Sequence, residues 1–407
     1  MMIRFSACIA CCVLCAGCGG EEGSMTPASM VSAAAVGTDT ADPMATSPSP
    51  SPMPMTSPTP MTSPSPATTP SSPPGSAAAP GTLYSIRDIG AYTSPGATAI
   101  DDHDNVVVAQ MSGNGSFFYH NASGSVVQLQ AVNVGTDTVI ANGINDKGQI
   151  SGWSGEHAVI WLTSGGYSIL GGDNPNHAEG INQSGVVVGD RFVGHADGSP
   201  TSWDPNGVQT DLSTEVGTAI AVNDQGLMVG DAASSGSYPS YGPQHAMVWQ
   251  SATSADLGTL SGDQISSAQG VANSGDIVGI SQGSQLHAVL WHAGAITDLG
   301  SLGTSSPTAS SAAGINDAGE IVGRSAVGTA PDGSALYHAF IVIEGKMQDL
   351  NSLIDPTSPL ATLVMLTDAA AINCNGDIAA NGIDSRDQLT HAYLLVREGT
   401  QRTQCPS

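Results

Sequence analysis

The chain has 407 residues, more than one ordinary compact domain, and carries 35 Asp and Glu against 9 Lys and Arg, a formal charge of −26. Such a charge repels phosphate polymers and speaks against nucleic-acid binding. With 50 Gly, 25 Pro and only 11% charged residues, the composition does not suit a coiled coil or a helical bundle.

Residues 1–17 read as a signal peptide: Arg4 supplies one positive charge and an apolar run follows from Phe5 to Gly17, too short to span a bilayer as a helix. The run ends in CAGC (15–18), which resembles a bacterial lipobox and makes Cys18 the expected lipidated residue. Cys15 stands where that motif usually has Leu, and a plain secretory signal cut nearby is the alternative. Gly19 and Gly20 put no acidic residue beside Cys18 to argue for retention at the inner membrane, so an exported protein on the outer membrane or cell surface is expected. Its membrane contact is then the lipid anchor alone. Residues 18–81 continue as a lipidated N-terminus and a Pro/Ser/Thr-rich tether that holds 14 of the 25 prolines between 24 and 81. A segment so poor in large apolar residues cannot offset its chain entropy by burial.

From residue 82 to 407 the sequence is a repeat array. GINDKGQISG (143–152), GINQSGVVVG (180–189), AVNDQGLMVG (221–230), GVANSGDIVG (270–279) and GINDAGEIVG (314–323) are clear copies, and AIDDHDNVVV (99–108) and AINCNGDIAA (371–380) are eroded ones. The register position is Asp101, Asn145, Asn182, Asn223, Ala272, Asn316 and Asn373, with steps of 37 to 57 residues. A period in this range with strand-like sequence predicts an all-β propeller. Each unit holds four strand-sized pieces, as in AQGVA, DIVGI, HAVLW and ITDLG between 268 and 300. The first piece is Ala/Gly-rich and is placed innermost, where strands crowd the axis. The piece of the DLG type is placed outermost. The seventh unit ends at HAYLLV (391–396) with no fourth piece, whereas YSIRDIG (84–90) is a fourth piece without a unit. Seven four-stranded blades closed by a shared N-/C-terminal blade follow. Six or eight blades would follow if the loop-rich region 325–368 distorts or hides one.

These blocks, with TDLGSLG (297–303) and DLNSLID (349–355), look like the HAF repeat family of bacterial extracellular proteins over residues 84–397. The resemblance implies secretion and tandem β repeats, and no catalytic residue.

Among candidate site residues, His157, His245, His287, His338 and His391 begin the third piece of five units, one per blade. Neighbouring copies on the order of 10 Å apart cannot share one metal ion, and a bond to backbone or a turn Asn/Asp is expected. Trp161, Trp203, Trp249 and Trp291 close the same piece and are expected in the core. GISQG (279–283) fits a hydrolase pattern around Ser281, but it falls after a second strand and not at a strand-to-helix elbow. Asp101, Asp102 and Asp104 offer a weak calcium site without the full ligand series, and no other cofactor is indicated. Cys374 and Cys405 can pair in an oxidising compartment, or remain free or link chains. Tyr238 and Tyr241 in the loop 234–244, and the insertion 353–367, are candidate interaction surfaces. The expected function is a surface-anchored module binding a protein or glycan partner. An envelope spacer without a specific ligand, and a hydrolase or lyase in the propeller mouth, are the alternatives.

Overall fold

The computed structural model describes residues 83–399 except 93–94, 111–114, 173–174, 193–197, 235, 238–239, 252 and 305. The signal peptide, the tether and Cys18 lie outside the described residues. Within them the chain forms seven four-stranded antiparallel sheets, each an inner, second, third and outer strand. The inner strands are Pro95–Ile100, Val139–Ile144, Asn176–Ile181, Gly217–Val222, Ile265–Val271, Ser310–Ile315 and Val364–Ile372, here blades 1 to 7. They are the Ala/Gly-rich pieces, and each touches its counterpart in the next blade around the axis. The seven-bladed propeller is thus the architecture.

The ring closes as the orphan strand requires. β1, Tyr84–Ala91, is the outer strand of blade 7 and pairs with Thr390–Arg397, from Tyr84 opposite Arg397 to Ala91 opposite His391. Two polar networks latch it. Arg397, almost wholly buried, donates to Glu320 of blade 6 at 2.8 Å and to the Tyr84 hydroxyl at 3.0 Å. At the other end Asp88 accepts from Arg386 at 2.7 Å and pairs with His391 at 2.9 Å. The region 325–368 hides no blade: it holds the long hairpin Ile321–Thr329 and Ala335–Ile343 of blade 6, its outer strand Lys346–Asp349 and a 3₁₀ turn, Leu350–Leu353. The segment that follows covers the closing blade, with Asp355 N donating to Tyr84 O at 2.9 Å.

Local sequence explains the blades. Each Asn of the repeat folds back on its own hairpin: Asn145 Oδ1 accepts from Lys147 N and Gln149 N, and Gly148 supplies the left-handed residue that the turn needs (φ 72°). In all seven blades the inner strand carries an irregularity against the second, as between Ala141 and Gly143, and blade 7 carries a further one between Leu366 and Asp368. The bulge explains the glycine that ends the repeated motif. A Cβ on Gly152, Gly189, Gly230, Gly279 or Gly323 would stand about 2 Å from an inner-strand carbonyl oxygen. Apolar clusters fill most of the space between blades, and Trp161, Trp203, Trp249 and Trp291 are buried at equivalent positions as expected.

Candidate functional site

The repeat places its turns around one mouth of the axial channel, a cavity of about 1140 Å³. Two belts of hydrogen bonds run round it from blade to blade. In the first, the Asn of one blade donates its side-chain N–H to the backbone carbonyl of the same position in the next: Asn145 to Asn182 (2.9 Å), Asn182 to Asn223 (2.9 Å), Asn223 to Ala272 (3.0 Å), Asn316 to Asn373 (3.1 Å) and Asn373 to Asp101 (3.0 Å). The belt is broken at Ala272 and Asp101, whose side chains have no N–H to give.

The second belt uses the next residue along. Here a backbone N–H donates to the side-chain oxygen of the following blade: Asp102 to Asp146 (2.8 Å), Asp146 to Gln183 (3.1 Å), Gln183 to Asp224 (2.8 Å), Asp224 to Asn273 (2.9 Å), Asn273 to Asp317 (2.7 Å) and Cys374 to Asp102 (3.0 Å). The open link lies between Asp317 and Cys374, because a cysteine offers no oxygen, and Cys374 is disulfide-bonded. Asp102, Asp146, Asp224 and Asp317 are each held by an amide of the preceding blade and Asp101 by its own turn, so the mouth presents the five in fixed places. His103 and Lys147 are the basic side chains that line it. Burial first, then the charges of Asp146 and Asp101, push the Asp102 carboxyl up to about 6, against the opposing bond from Cys374 N.

Below the mouth lies an apolar collar with one residue from each blade: Ile100, Ile144, Ile181, Val222, Val271, Ile315 and Ile372. Six of them also line a second cavity of about 430 Å³ further along the axis. The inner-strand irregularity turns one side chain per blade into that cavity: Thr98, Asn142, Glu179, Ile220, Gln269, Ala313 and Ala370. Glu179 is the carboxylate in this ring. It is 8% exposed, and among the described residues its carboxyl has no hydrogen-bond partner. Burial and the nearby charge of Asp190 push it up to about 8.

Beside this ring, facing residues of neighbouring blades differ from one interface to another, and Arg324 and Asp368 among them also line the second cavity. Asp190 reaches Thr218 Oγ1 at 3.3 Å and Asp231 reaches Ser267 Oγ at 2.7 Å. Trp153 stacks on His177 at 4.5 Å, and Arg324 draws the buried Asp368 carboxyl down against a larger upward push from burial. Burial lifts Asp190 to about 7 and Asp231 to about 6, and lowers His177 to about 4. His177 Nδ1 and Asp190 Oδ1 are 3.7 Å apart. Between pH values set by those two shifts the pair carries no charge, which is what burial without a mutual hydrogen bond dictates. Buried titratable groups of this kind concentrate at functional sites.

The residues singled out from sequence fall as follows. Four third-strand histidines bond to the Asp that begins the outer-strand DLG-type motif, and not to a turn residue: His245 to Asp256 (2.8 Å), His287 to Asp298 (3.1 Å), His338 to Asp349 (2.7 Å) and His391 to Asp88. The same carboxylates accept the backbone N–H two residues on, at Gly258, Gly300, Asn351 and Gly90, so the pair is a strut that fixes the outer strand. In blade 2 the position equivalent to that Asp is Ile169, paired with Val159, so no carboxylate stands there for His157. Ser281 is buried in a second strand, donates to Asp263 at 2.7 Å and accepts from Leu260 N. Ser154 likewise donates to Asp137 and accepts from Val132 N, and Ser325 accepts from Leu302 N.

Asp101, Asp102 and Asp104 turn to separate partners. Asp101 accepts from His103 N and Asn105 N, Asp102 from Cys374 N, and Asp104 from Asn373 and Asn121. The carboxylate group within mutual reach there is instead Asp101 and Asp146 with His103. Cys405 and Tyr238 lie outside the described residues. Tyr241 ends the short hairpin Gly236–Ser237 and Ser240–Tyr241 inserted in blade 4. Sequence reading missed Glu179, the lone charge at a repeat position otherwise small, apolar or amide. It also missed the acceptor that follows the Asn register in six of seven units.

No family model and no curated protein matches the chain. Solved structures do. The oligogalacturonate lyase of Vibrio parahaemolyticus is 10% identical, with 77% of this chain and 91% of that one covered and a TM-score of 0.51. The WD40 repeats of RRP9 are 10% identical over 78% and 99%, with a TM-score of 0.49. A chain of the mitotic checkpoint complex is 13% identical over 78% and 92%, with a TM-score of 0.46. At 10% identity the likeness to the lyase is one of fold, and the fold is the β-propeller.

Proposed function

We propose that the protein is an exported propeller, lipid-anchored at Cys18, that binds a basic protein segment at the turn-face mouth. The observation that carries the reading is the set of five aspartates there, four held in place by amides of adjacent blades and Asp101 by its own turn, accompanied by one lysine and one histidine. Preset carboxylates lose little freedom on binding a cation. The surrounding charge supports the reading, since residues 82–407 carry 31 Asp and Glu against 8 Lys and Arg, a field that draws basic partners at low salt. Binding is preferred to turnover because the serine of the hydrolase-like pattern, Ser281, is a strut inside a blade.

Oligolysine titrated into the mature chain tests the mouth. Binding should weaken steeply with salt, and at least tenfold in the Asp224→Asn/Asp317→Asn double variant. Binding indifferent to both salt and substitution would refute the reading. The anchor is tested separately by radioactive fatty-acid labelling: Cys18→Ser should abolish label and membrane retention, and unchanged labelling would remove the lipoprotein assignment.

A further inference from the structure

The mouth accounts for the outer carboxylates and leaves Glu179 unexplained. A carboxyl group that is 8% exposed, with no hydrogen-bond partner among the described residues, stands on the wall of a cavity of about 430 Å³. An unpaired buried carboxyl costs stability, and nothing in the blade requires an acid there: Asn142, Ile220 and Ala313 occupy the same position in other blades.

We propose that the axial channel is a binding site for a small aliphatic cation, a primary alkylammonium, with its head on Glu179 and its hydrocarbon tail along the apolar collar.

Three features of the wall select that chemistry. First, its amide groups have already used N–H donors. Asn142 Nδ2 donates to Ala178 O at 3.0 Å and Gln269 Nε2 to Ser267 Oγ at 2.8 Å. Each leaves its carbonyl oxygen and one N–H, so the ring offers a carboxylate and neutral acceptors, while the Arg324 that also lines the cavity is offset by the buried Asp368 beside it. An ammonium head has three donors and no acceptor. Second, the next layer is the collar, where Ile144, Ile181 and Ile372 give an alkyl chain an apolar surface in contact with the acceptor ring. Third, Glu179 is a poor centre for a metal. A hard divalent ion takes six or more oxygen ligands. The groups of three ligating side chains among the described residues lie elsewhere, at Asp88, Asp384 and His391 and at Asp101, His103 and Asp146. The carboxyl's upward shift agrees with a site that is neutral when empty and ionises when a cation arrives.

The test is calorimetric titration of the full mature chain with n-butylammonium, with n-butanol and calcium as comparison probes. Saturable butylammonium binding is expected, with butanol at least tenfold weaker and calcium not competing. Glu179→Gln keeps the shape and should weaken binding at least tenfold; Gln269→Leu, which removes an acceptor and no charge, should weaken it several-fold. Oligolysine binding at the mouth should be unchanged in both variants, so failure here and failure of the mouth are distinguishable. The inference is overturned by equal affinity for butanol and butylammonium, by full affinity in folded Glu179→Gln, or by no butylammonium binding at ~10 mM. Should Glu179→Gln fail to melt cooperatively, the Gln269→Leu variant and the butanol comparison decide.

Discussion

Asn223→Ala should be among the most damaging single truncations of a polar residue in the propeller, and Ala272→Asn should be stabilising. Asn223 is 5% exposed and makes three hydrogen bonds: Oδ1 accepts from Gln225 N (3.1 Å) and Leu227 N (2.9 Å), and Nδ2 crosses to Ala272 O of the next blade (3.0 Å). At about 1 kcal/mol net for each bond, with a further cost for any buried group left unpaired, the loss is about 3 kcal/mol. Ala272 is the natural reciprocal, a 3% exposed residue at the same repeat position. An Asn there regains the link to Asn316 O and caps its own turn, in which Asp276 N at present donates to Ser274 Oγ over a long 3.3 Å. The expected gain is about 1 kcal/mol. Urea unfolding followed by tryptophan fluorescence reads both, because Trp203, Trp249 and Trp291 are buried in blades 3, 4 and 5 on either side of the altered links. A cost below about 0.5 kcal/mol for Asn223→Ala, the range of an ordinary surface change, would refute the belt as a source of stability. Destabilisation by Ala272→Asn would show that the site lacks the room its sister repeats have.

Three further outcomes follow from the closure and the channel. Arg397→Met leaves Glu320 buried and unpaired and should cost about 3–5 kcal/mol in the same assay, with Arg397→Met/Glu320→Gln recovering part of it; a loss typical of an exposed ion pair would remove the latch. A chain beginning at Tyr92 lacks β1, exposes the edge of Thr390–Arg397, and should lose cooperative melting or aggregate; melting like the full-length domain would disprove the shared blade. The pH dependence of stability should differ between the natural chain and Glu179→Gln. The Glu179 carboxyl is raised in the fold from 4.5 to about 8, so the unfolded chain releases that proton first. Its presence therefore lowers stability progressively as pH rises from 4.5 to about 8, and by a constant amount above that. The advantage of Glu179→Gln should grow across that window by several kcal/mol, and an advantage independent of pH would show that the carboxyl is not held protonated.

Much of this architecture is written in the period. The blade count, the innermost position of the Ala/Gly strand and the exchange of YSIRDIG (84–90) into the last blade depend on pattern and turn chemistry, which are local. The His–Asp struts were legible too, since His245 and Asp256, His287 and Asp298, and His338 and Asp349 are each eleven residues apart. The turn Asn/Asp is closer at hand as a partner, and only the pairing of third and outer strands brings each His to its Asp. The second belt was equally available in Asp102, Asp146, Gln183, Asp224, Asn273 and Asp317, all side-chain acceptors in phase. The bulge was not. A run such as NHAEGI (176–181) reads as an alternating strand, and only the pairing of Ala178 with Gly189 and Ile181 with Val187 shows that Glu179 is turned toward the axis. The meeting of Asp190, Asp231 and His177 depends on contacts between blades, which no single repeat encodes.

The contrast between repeated and unrepeated positions indicates where selectivity resides in a ring of this kind. Belt residues, strut pairs and the closing glycine recur because each solves a problem that every blade has: an unsatisfied turn, a free outer strand, a crowded bulge. The axis has no such demand, since side chains there meet one another only across the channel. Thr98, Asn142, Glu179, Ile220, Gln269, Ala313 and Ala370 differ in charge, size and hydrogen-bonding capacity although the backbone around them is the same. The interface layer beyond them differs likewise, from Trp153 on His177 to Arg324 beside Asp368. A buried acid at a position where alanine serves equally well for folding is a local cost without a structural return. That mismatch, more than any motif, sets the channel apart: the blades solve the problems of the fold, and the residues that break their symmetry line the cavity on the axis.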